Sequence, residues 1–201
     1  LQNLRADFRD LDQHLASRHE MVRLLAKLPE PGAILGESDD AEQIDLARAR
    51  YTQWVNQILL DQRDIIQILF LDGEGQERFW LERDPDTQQW RPTTHMPERP
   101  PEDFVRTVPR LEPGGVLVSL IRVNPELGAR DPRRLMNLHL LSPIVSGAEN
   151  RRLMGSVVMS IDVGGIAKFY RNTLWVKNDG SYLSPDTPER PGISAFHTFP
   201  G

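Results

Sequence analysis

The stretch Ile65–Arg83, IIQILFLDGEGQERFWLER, decides the fold class of this chain. It contains an apolar run of strand length, a Gly-Glu-Gly turn and a second strand in which polar and apolar residues alternate. This pattern predicts a β-hairpin. The apolar residues upstream follow a helical spacing, so the chain changes from helix to strand at this point.

Two helices are predicted before the hairpin. Residues 1–28 carry apolar side chains in steps of three and four, which is typical of a long amphipathic helix that ends before Pro29. Its apolar stripe fits either packing on its own domain or a helical dimer seam. A second helix is predicted from a cap at Ser38 or Asp39 to about Asp61, with acidic residues in its first turn.

Three further strands are predicted after the hairpin: GGVLVSLIRV (114–123), MNLHLLSPIV (136–145) and GSVVMSIDV (155–163). Short helices are predicted within residues 101–111 and over Gly165–Tyr170, whereas the prolines of residues 84–100 favour irregular structure. Few helices separate the strands, so we expect an α+β fold with a five-stranded antiparallel sheet and helices on one side.

The composition argues against several classes of function and of binding site. The 201 residues include 24 Lys and Arg against 29 Asp and Glu, a net charge of −5, which argues against nucleic-acid binding. There is no cysteine, which excludes thiolate metal sites, cysteine nucleophiles and disulfides. No apolar run is long enough to span a bilayer. The chain opens inside a helical pattern without a signal peptide, so we expect it to be part of a longer protein.

Strand alternation divides the sheet into an apolar back face and a chemically mixed front face. The back face should pack on the opening helices. The front face carries the residues that we predict to bind a ligand: Arg78, Trp80, Ser119, Asn137, His139, Ser160 and Asp162. This face fits a small-molecule cavity covered by residues 84–111, or simply the solvated side of a one-sided sheet.

The sequence gives little indication of enzyme chemistry. It contains no GxSxG, HExxH, GxGxxG or P-loop string, and no metal site or cofactor is predicted. Ser119, His139 and Asp162 lie on neighbouring strands and leave a hydrolase as a remote alternative. Five arginines flank the hairpin between the third and fifth strands: Arg130, Arg133, Arg134, Arg151 and Arg152. They could bind an anionic ligand or headgroups, but acidic residues lie among them and we expect a solvated loop.

Five strings in order resemble the extracytoplasmic Cache-type, PAS-like sensor domains, in particular their double-module form. They are ILFLDGEGQERFW, GGVLVSLIRVNPELG, NLHLLSPIVSG, GSVVMSIDVGGI and LWVKNDGSYLSPD. The last string repeats the hairpin pattern, with Gly180 in the place of Gly73. The resemblance implies a stalk helix and linker over 1–37, a membrane-distal sensor module over 38–172 and an incomplete second PAS-like module over 173–201.

The resemblance also implies a function. Such domains are periplasmic regions of inner-membrane histidine kinases, diguanylate cyclases or phosphodiesterases, or chemoreceptors, and they are not themselves enzymes. We therefore expect a small polar or anionic metabolite as the ligand and a possible homodimer through the opening helix. Arg78 would pair with an anionic group. A ligand-free interaction or signal-transmitting module is the alternative, in which Trp90 or Met96 would fill the front face.

Overall fold

The computed structural model describes residues 2–27, 30–37, 39–94, 100, 102–146, 152–165, 175–176 and 182–183. Its helices and strands, in chain order, are α1 (Gln2–Leu25), α2 (Pro31–Ile34), α3 (Ala41–Ile58), β1 (Ile65–Asp72), β2 (Glu77–Arg83), β3 (Trp90–Pro92), α4 (Glu102–Arg106), a first 3₁₀ helix (Val108–Arg110), β4 (Leu117–Val118), β5 (Arg122–Val123), α5 (Pro125–Arg130), a second 3₁₀ helix (Pro132–Arg134), β6 (Met136–Ser146), β7 (Arg152–Asp162), β8 (Trp175–Val176) and β9 (Tyr182–Leu183).

The main sheet has seven antiparallel strands in the order β3-β2-β1-β7-β6-β4, and β5 also pairs with β6. The hairpin of β1 and β2 and the long strands β6 and β7 confirm the predicted α+β class. β7 lies between β1 and β6, so the last strand of the sheet occupies its centre. The sheet exceeds the five predicted strands because β3 was not predicted and the third predicted strand is two short pieces.

The opening helices pack on the back face, as predicted. Leu25 of α1 and Val55 of α3 contact a cluster from the sheet that includes Phe70, Met159 and Ile161. Tyr51 lies fully buried among them, where its ring meets Phe70 edge-on and its hydroxyl donates to the Leu25 carbonyl at 3.0 Å. This hydrogen bond satisfies the buried hydroxyl of Tyr51 and joins α3 to α1.

The helix boundaries agree with the sequence to within a few residues. α3 begins at Ala41, one residue after the cap Asp40, whose carboxylate accepts the Glu42 N–H at 3.0 Å. The proposed cap Ser38 lies outside the described residues. The short helices α2 and α5 were not predicted. α5 follows Asn124, whose side chain accepts the Leu127 N–H in the usual N-cap arrangement.

Residues 84–94 contradict the predicted irregular structure, since they turn back at Asp84 and add β3 to the outer edge of β2. Asp84 stabilises this turn by accepting the N–H groups of Asp86 and Thr87. Pro92 is compatible with the strand because an edge strand has one side without hydrogen-bonding partners, where a missing N–H costs nothing. The proline content was therefore a poor guide here.

The third predicted strand is interrupted at residues 119–121, between β4 and β5. Across the interruption the partner of Val118 is Leu140 but the partner of Arg122 is Asn137, so the register with β6 shifts by one residue. The shift turns Ile121 into the back core, although it lies two residues after Ser119 and an uninterrupted strand would place both side chains on the same face.

The second module stays a prediction. β8 and β9 pair antiparallel as a separate two-stranded sheet, and most of residues 173–201 lie outside the described part of the chain. The helix predicted over Gly165–Tyr170 begins earlier, with a helical turn at 163–165, and its remainder also lies outside the described residues.

Candidate functional site

A row of polar side chains crosses four strands on the front face. Direct cross-strand partners place Gln67 of β1 between Glu82 of β2 and Ser160 of β7, and Ser160 next to His139 of β6. Opposed residues share a face of an antiparallel sheet, so these four side chains form one line, here called the polar row. The adjacent line on the same face is apolar and contains Trp80, Leu69, Val158, Leu141 and Leu117, here called the apolar row.

The polar row is covered by Arg134 at the end of the second 3₁₀ helix. Its guanidinium donates from Nη1 to Gln67 Oε1 at 3.0 Å and from Nη2 to Glu82 Oε1 at 2.7 Å. Arg134 is only 8% exposed. Glu82 supplies a carboxylate partner for this buried guanidinium, and Asp131 Oδ2 lies 3.8 Å from its Nε.

His139 is the most perturbed group on this face. The residue is 3% exposed, and in the part of the chain that the structure describes its Nδ1 atom is buried with no hydrogen-bond partner. Burial, and then the positive charges of Arg122 and Arg134, lower the pKa of His139 to about 4. The ring is therefore neutral at physiological pH and presents an unused polar atom inside the protein.

Trp80 has the same property at the start of the apolar row. Its Nε1–H is buried without a partner among the described residues, while its ring packs on the apolar cluster beside Leu69 and Leu117. A buried indole N–H normally finds an acceptor. The front face thus buries two polar atoms that have no hydrogen-bond partner among the described residues. They are His139 Nδ1 in the polar row and Trp80 Nε1 in the apolar row.

The apolar row has a roof. Phe104 of α4 and Val108 of the first 3₁₀ helix pack on Leu69, Leu141 and Val158 to form a second small core. The prediction that residues 84–111 cover the front face is confirmed for this later half. The earlier half instead forms β3 at the edge of the sheet.

The register confirms that most of the predicted site residues share the front face. Trp80, Asn137, His139, Ser160 and Asp162 all occupy it. Arg78 does not join them, because the pairing of β1 with β2 shifts between Phe70 and Leu71.

Arg78 lies instead beside the hairpin turn, where the extra residue of this bulge redirects its side chain. The side chain of Arg78 is 54% exposed, and its Nε donates to Asp72 Oδ2 at 2.7 Å. Burial alone would raise the pKa of Asp72, but hydrogen bonds from Gln76, Arg78 and Glu74 lower it. The contact is a surface ion pair that supports the turn, far from the polar row along the strand.

Two predicted site residues are used by the backbone around them. Asn137 donates from Nδ2 to the carbonyls of Arg133, Met136 and Ile161, at 2.8, 3.2 and 3.3 Å, and so fixes the second 3₁₀ helix against the sheet. Ser119 Oγ accepts the backbone N–H of His139 at 2.9 Å and donates to the Leu120 carbonyl.

The hydroxyl of Ser119 thus bonds the backbone of His139, and the ring atom Nδ1 has no hydrogen-bond partner among the described residues. A nucleophile and its general base require the side chains themselves to be joined. The arrangement that the hydrolase alternative requires is not formed by these two residues.

Asp162 lies at the end of the polar face and borders a different space. Its Oδ1 accepts the Gly165 N–H at 3.0 Å, and it lines a cavity of about 610 Å³ between α1, the α3–β1 connection and the end of β7. In this cavity Arg18, which is 3% exposed, binds both carboxylate oxygens of Asp64 at 2.7 and 2.6 Å, and His14 Nε2 is 3.0 Å from the same carboxylate.

These neighbours lower the pKa of the Asp64 carboxyl. Burial alone would raise the pKa of its carboxyl, but the hydrogen bonds of His14 and Arg18 and their charges hold it well below its usual range. The resulting charged pair joins the opening helix to the base of the sheet.

Sequence reasoning missed Arg134, Gln67 and Glu82 as site residues. The arginine cluster was expected to be solvated, and this is wrong for Arg134, which is buried, whereas Arg130 and Arg152 are exposed and Arg133 is partly exposed. The cap Asp131, which accepts the Arg133 N–H, indicates a tight helical turn directly before β6 but gives no signal that Arg134 is buried against Gln67 and Glu82. Arg151 lies outside the described residues.

Over the described ranges, no group of three or more His, Asp or Glu side chains is placed to hold a metal ion. The helices found there include none that is both long and apolar enough to cross a membrane.

No family model matches the chain, and no curated protein matches it. Solved structures do. A domain of a protein assigned to the sensory box/GGDEF family from Vibrio parahaemolyticus matches with a TM-score of 0.70 at 17% identity, over 94% of this chain and 70% of that one. The extracellular domain of a protein assigned as a histidine kinase matches with a TM-score of 0.68 at 18% identity, over 94% of this chain and 66% of that one.

The ligand-binding domain of the Pseudomonas aeruginosa amino acid chemoreceptor PctC, solved in complex with GABA, matches with a TM-score of 0.57 at 14% identity, over 92% of this chain and 74% of that one. The chain has the fold of these sensor domains. The resemblance to Cache-type, PAS-like sensors seen in the sequence is thereby confirmed for the fold, which consists of a long opening helix and an antiparallel sheet.

Proposed function

We propose that this chain is an extracytoplasmic sensor domain of a membrane-anchored signalling protein, and that it binds a small polar or anionic metabolite on the front face. The proposal makes the segment a binding module and not an enzyme. The fold supports a sensor role, since the similar solved structures are extracellular or ligand-binding domains of kinase, GGDEF and chemoreceptor proteins.

The observation that carries the proposal is the unsatisfied Nδ1 of His139 within the polar row. A buried polar atom without a partner costs about 1–3 kcal/mol, and a ligand that supplied the missing hydrogen bond would recover this cost. The Nε1–H of Trp80 offers a second such group. Phe104 and Val108 pack in the same cluster as Trp80, and Arg134 covers the Gln67 and Glu82 end of the polar row, so the face offers a largely buried setting for a bound molecule.

The opening helix is the element that would carry the signal. α1 is joined to the sheet through the Arg18–Asp64 pair, and a ligand could move it only by binding one arrangement of the domain more tightly than another. A bias of about 1–3 kcal/mol is the usual scale of such coupling. In the full protein this helix would lead to the membrane and meet its counterpart in a homodimer.

A thermal-shift screen of polar and anionic metabolites tests the binding site. The wild type is compared with His139→Leu, which replaces the ring and its unsatisfied atom with an apolar side chain, and with His19→Gln on the opening helix as the matched histidine control. We expect at least one compound to raise the Tm of the wild type and the control but not of His139→Leu. Equal shifts in all three proteins would remove the front face from the site.

A ligand-free signal-transmitting module is the second candidate. One observation favours it: the chain's own side chains, Arg134, Phe104 and Val108, already cover the front face. Trp90, which we expected in that role, is buried in the back core, and Met96 lies outside the described residues. This candidate predicts that no compound in the screen stabilises the wild type.

A further inference from the structure

Two of the side chains that hold Arg134, Gln67 and Glu82, differ in charge and in exposure. Gln67 is neutral and buried, whereas the carboxylate side chain of Glu82 is 24% exposed against 10% for the side chain of Arg134. Solvent therefore reaches the carboxylate more readily than the guanidinium behind it. Of these two bonds, the one to Glu82 is the one that an incoming anion can replace without opening the core.

The electrostatic surroundings of the polar row favour an anion. Arg134 and Arg122 both act on His139 as positive charges, and the histidine itself is neutral. Glu82 is the one acidic member of the row of Glu82, Gln67, Ser160 and His139. If its carboxylate left, the guanidinium would keep its bond to Gln67 and a longer contact from Nε to Asp131 Oδ2 at 3.8 Å, and that carboxylate is already bound by Arg133. The position vacated by Glu82 would then favour another carboxylate.

The guanidinium geometry restricts the chemistry of that replacement. Its planar fork presents paired N–H donors that match the two oxygens of a carboxylate, and such charge-assisted bonds are about twice as strong as neutral ones. We propose that Arg134 is the anchor for the carboxylate group of a small organic acid, and that Glu82 occupies this anchor as an internal substitute when no ligand is bound.

The same geometry limits the length of the acid. Gln67 and His139 are two strands apart, a separation of about 10 Å, with the small Ser160 between them. An acid of a few carbons could bond Arg134 at one end and supply the missing partner of His139 Nδ1 at the other. This proposal rests on the proposed function for its biological meaning, but its chemistry can be tested without knowing the natural ligand.

The experiment is a chemical rescue of Glu82→Ala with acetate. The variant removes the internal carboxylate and leaves a space beside Arg134 that acetate fits. We expect 50 mM sodium acetate to raise its Tm by about 3–5 °C relative to 50 mM sodium chloride, for a site with a Kd of a few millimolar. Glu102→Ala, which breaks the exposed pair with Arg106, is the matched control and should show no such difference.

The double variant Glu82→Ala/Arg134→Met shows whether the rescue acts through the anchor. Loss of the acetate effect in the double variant supports the proposal, and an equal effect in the single, double and control variants overturns it. Glu82→Gln keeps a neutral acceptor for Arg134 and covers the case in which the alanine variant does not fold. Calorimetry should show acetate binding this variant about tenfold more tightly than the wild type, and equal affinities would contradict the proposal.

These results are separable from the metabolite screen. A failed rescue with a successful screen would reject Arg134 as the anchor and leave the sensor function standing. A successful rescue with an empty screen would establish the anchor and leave the sensor function unsupported.

Discussion

The neutral, buried His139 predicts a specific loss of stability between pH 6.5 and pH 4. The unfolded chain binds the imidazole proton with a pKa of about 6.5, whereas burial and the charges of Arg122 and Arg134 lower the folded pKa to about 4. Between these values the unfolded state carries more protons, so the free energy of unfolding falls as the pH falls. The stabilising effect of the neutral ring is fully present above pH 6.5.

The magnitude follows from the difference of about 2.5 pKa units. At 1.36 kcal/mol per unit, His139 contributes about 3 kcal/mol that is lost over this range. Carboxylates with lowered pKa values, such as Asp64 and Asp131, lose their contributions only below the unfolded pKa of 3.8, so they interfere little above pH 4.5. Desolvation also lowers the pKa of His19, which therefore acts in the same direction as His139 and needs a control.

Urea titrations followed by circular dichroism at pH 7.5, 6.5, 5.5 and 4.5 measure this effect. We expect the wild type and His19→Gln to lose most of the 3 kcal/mol over this series, and His139→Leu to lose much less. Parallel profiles for the wild type and His139→Leu would refute the reasoning, because they would mean that the ring does not titrate differently in the folded and unfolded states.

Two further predictions concern the frame of the fold. Arg83 stacks over Trp90 and donates to five backbone carbonyls, two of them in buried contacts, so Arg83→Met should lower the free energy of unfolding by about 2–6 kcal/mol in a urea titration. The exposed Arg91→Met is its control and should stay within about 0.5 kcal/mol. Gly155→Ala should lower the free energy of unfolding by at least about 2 kcal/mol or prevent folding, since a Cβ there would lie 2.0 Å from the Leu71 carbonyl oxygen. Gly73→Ala is the control and should fold, because the nearest atom to a Cβ at Gly73 is 3.7 Å away. A normal Tm for the Gly155 variant would show that β1 and β7 are less closely packed than described.

The division of the sheet into two faces could be predicted from the sequence because alternation is a local property of each strand. It held for β6 and β7, whose register is regular over the site. It failed for Arg78 and Ile121, where a bulge and a register shift each insert a residue that no local pattern marks. A single extra residue reverses the face of every side chain beyond it.

The residues that cover the front face could not be predicted in the same way. Arg134 follows a charged loop in sequence, and its burial depends on Gln67 and Glu82, which lie more than fifty residues away. Such contacts are set by how the sheet is assembled and not by the neighbours of Arg134 in the chain. For this reason the sequence predicted which strand residues share the front face, but not that Arg134 covers them.

The central position of β7 has a consequence for how the domain is made. Ile65 pairs with Ile161, and β6 and β1 are joined only through the strand between them. During synthesis on the ribosome, the apolar surfaces of the opening helices and the first hairpin therefore stay exposed to solvent until residue 162 has been added. Domains whose contacts are this distant in sequence fold slowly, so this one should depend on chaperones or export factors during that interval.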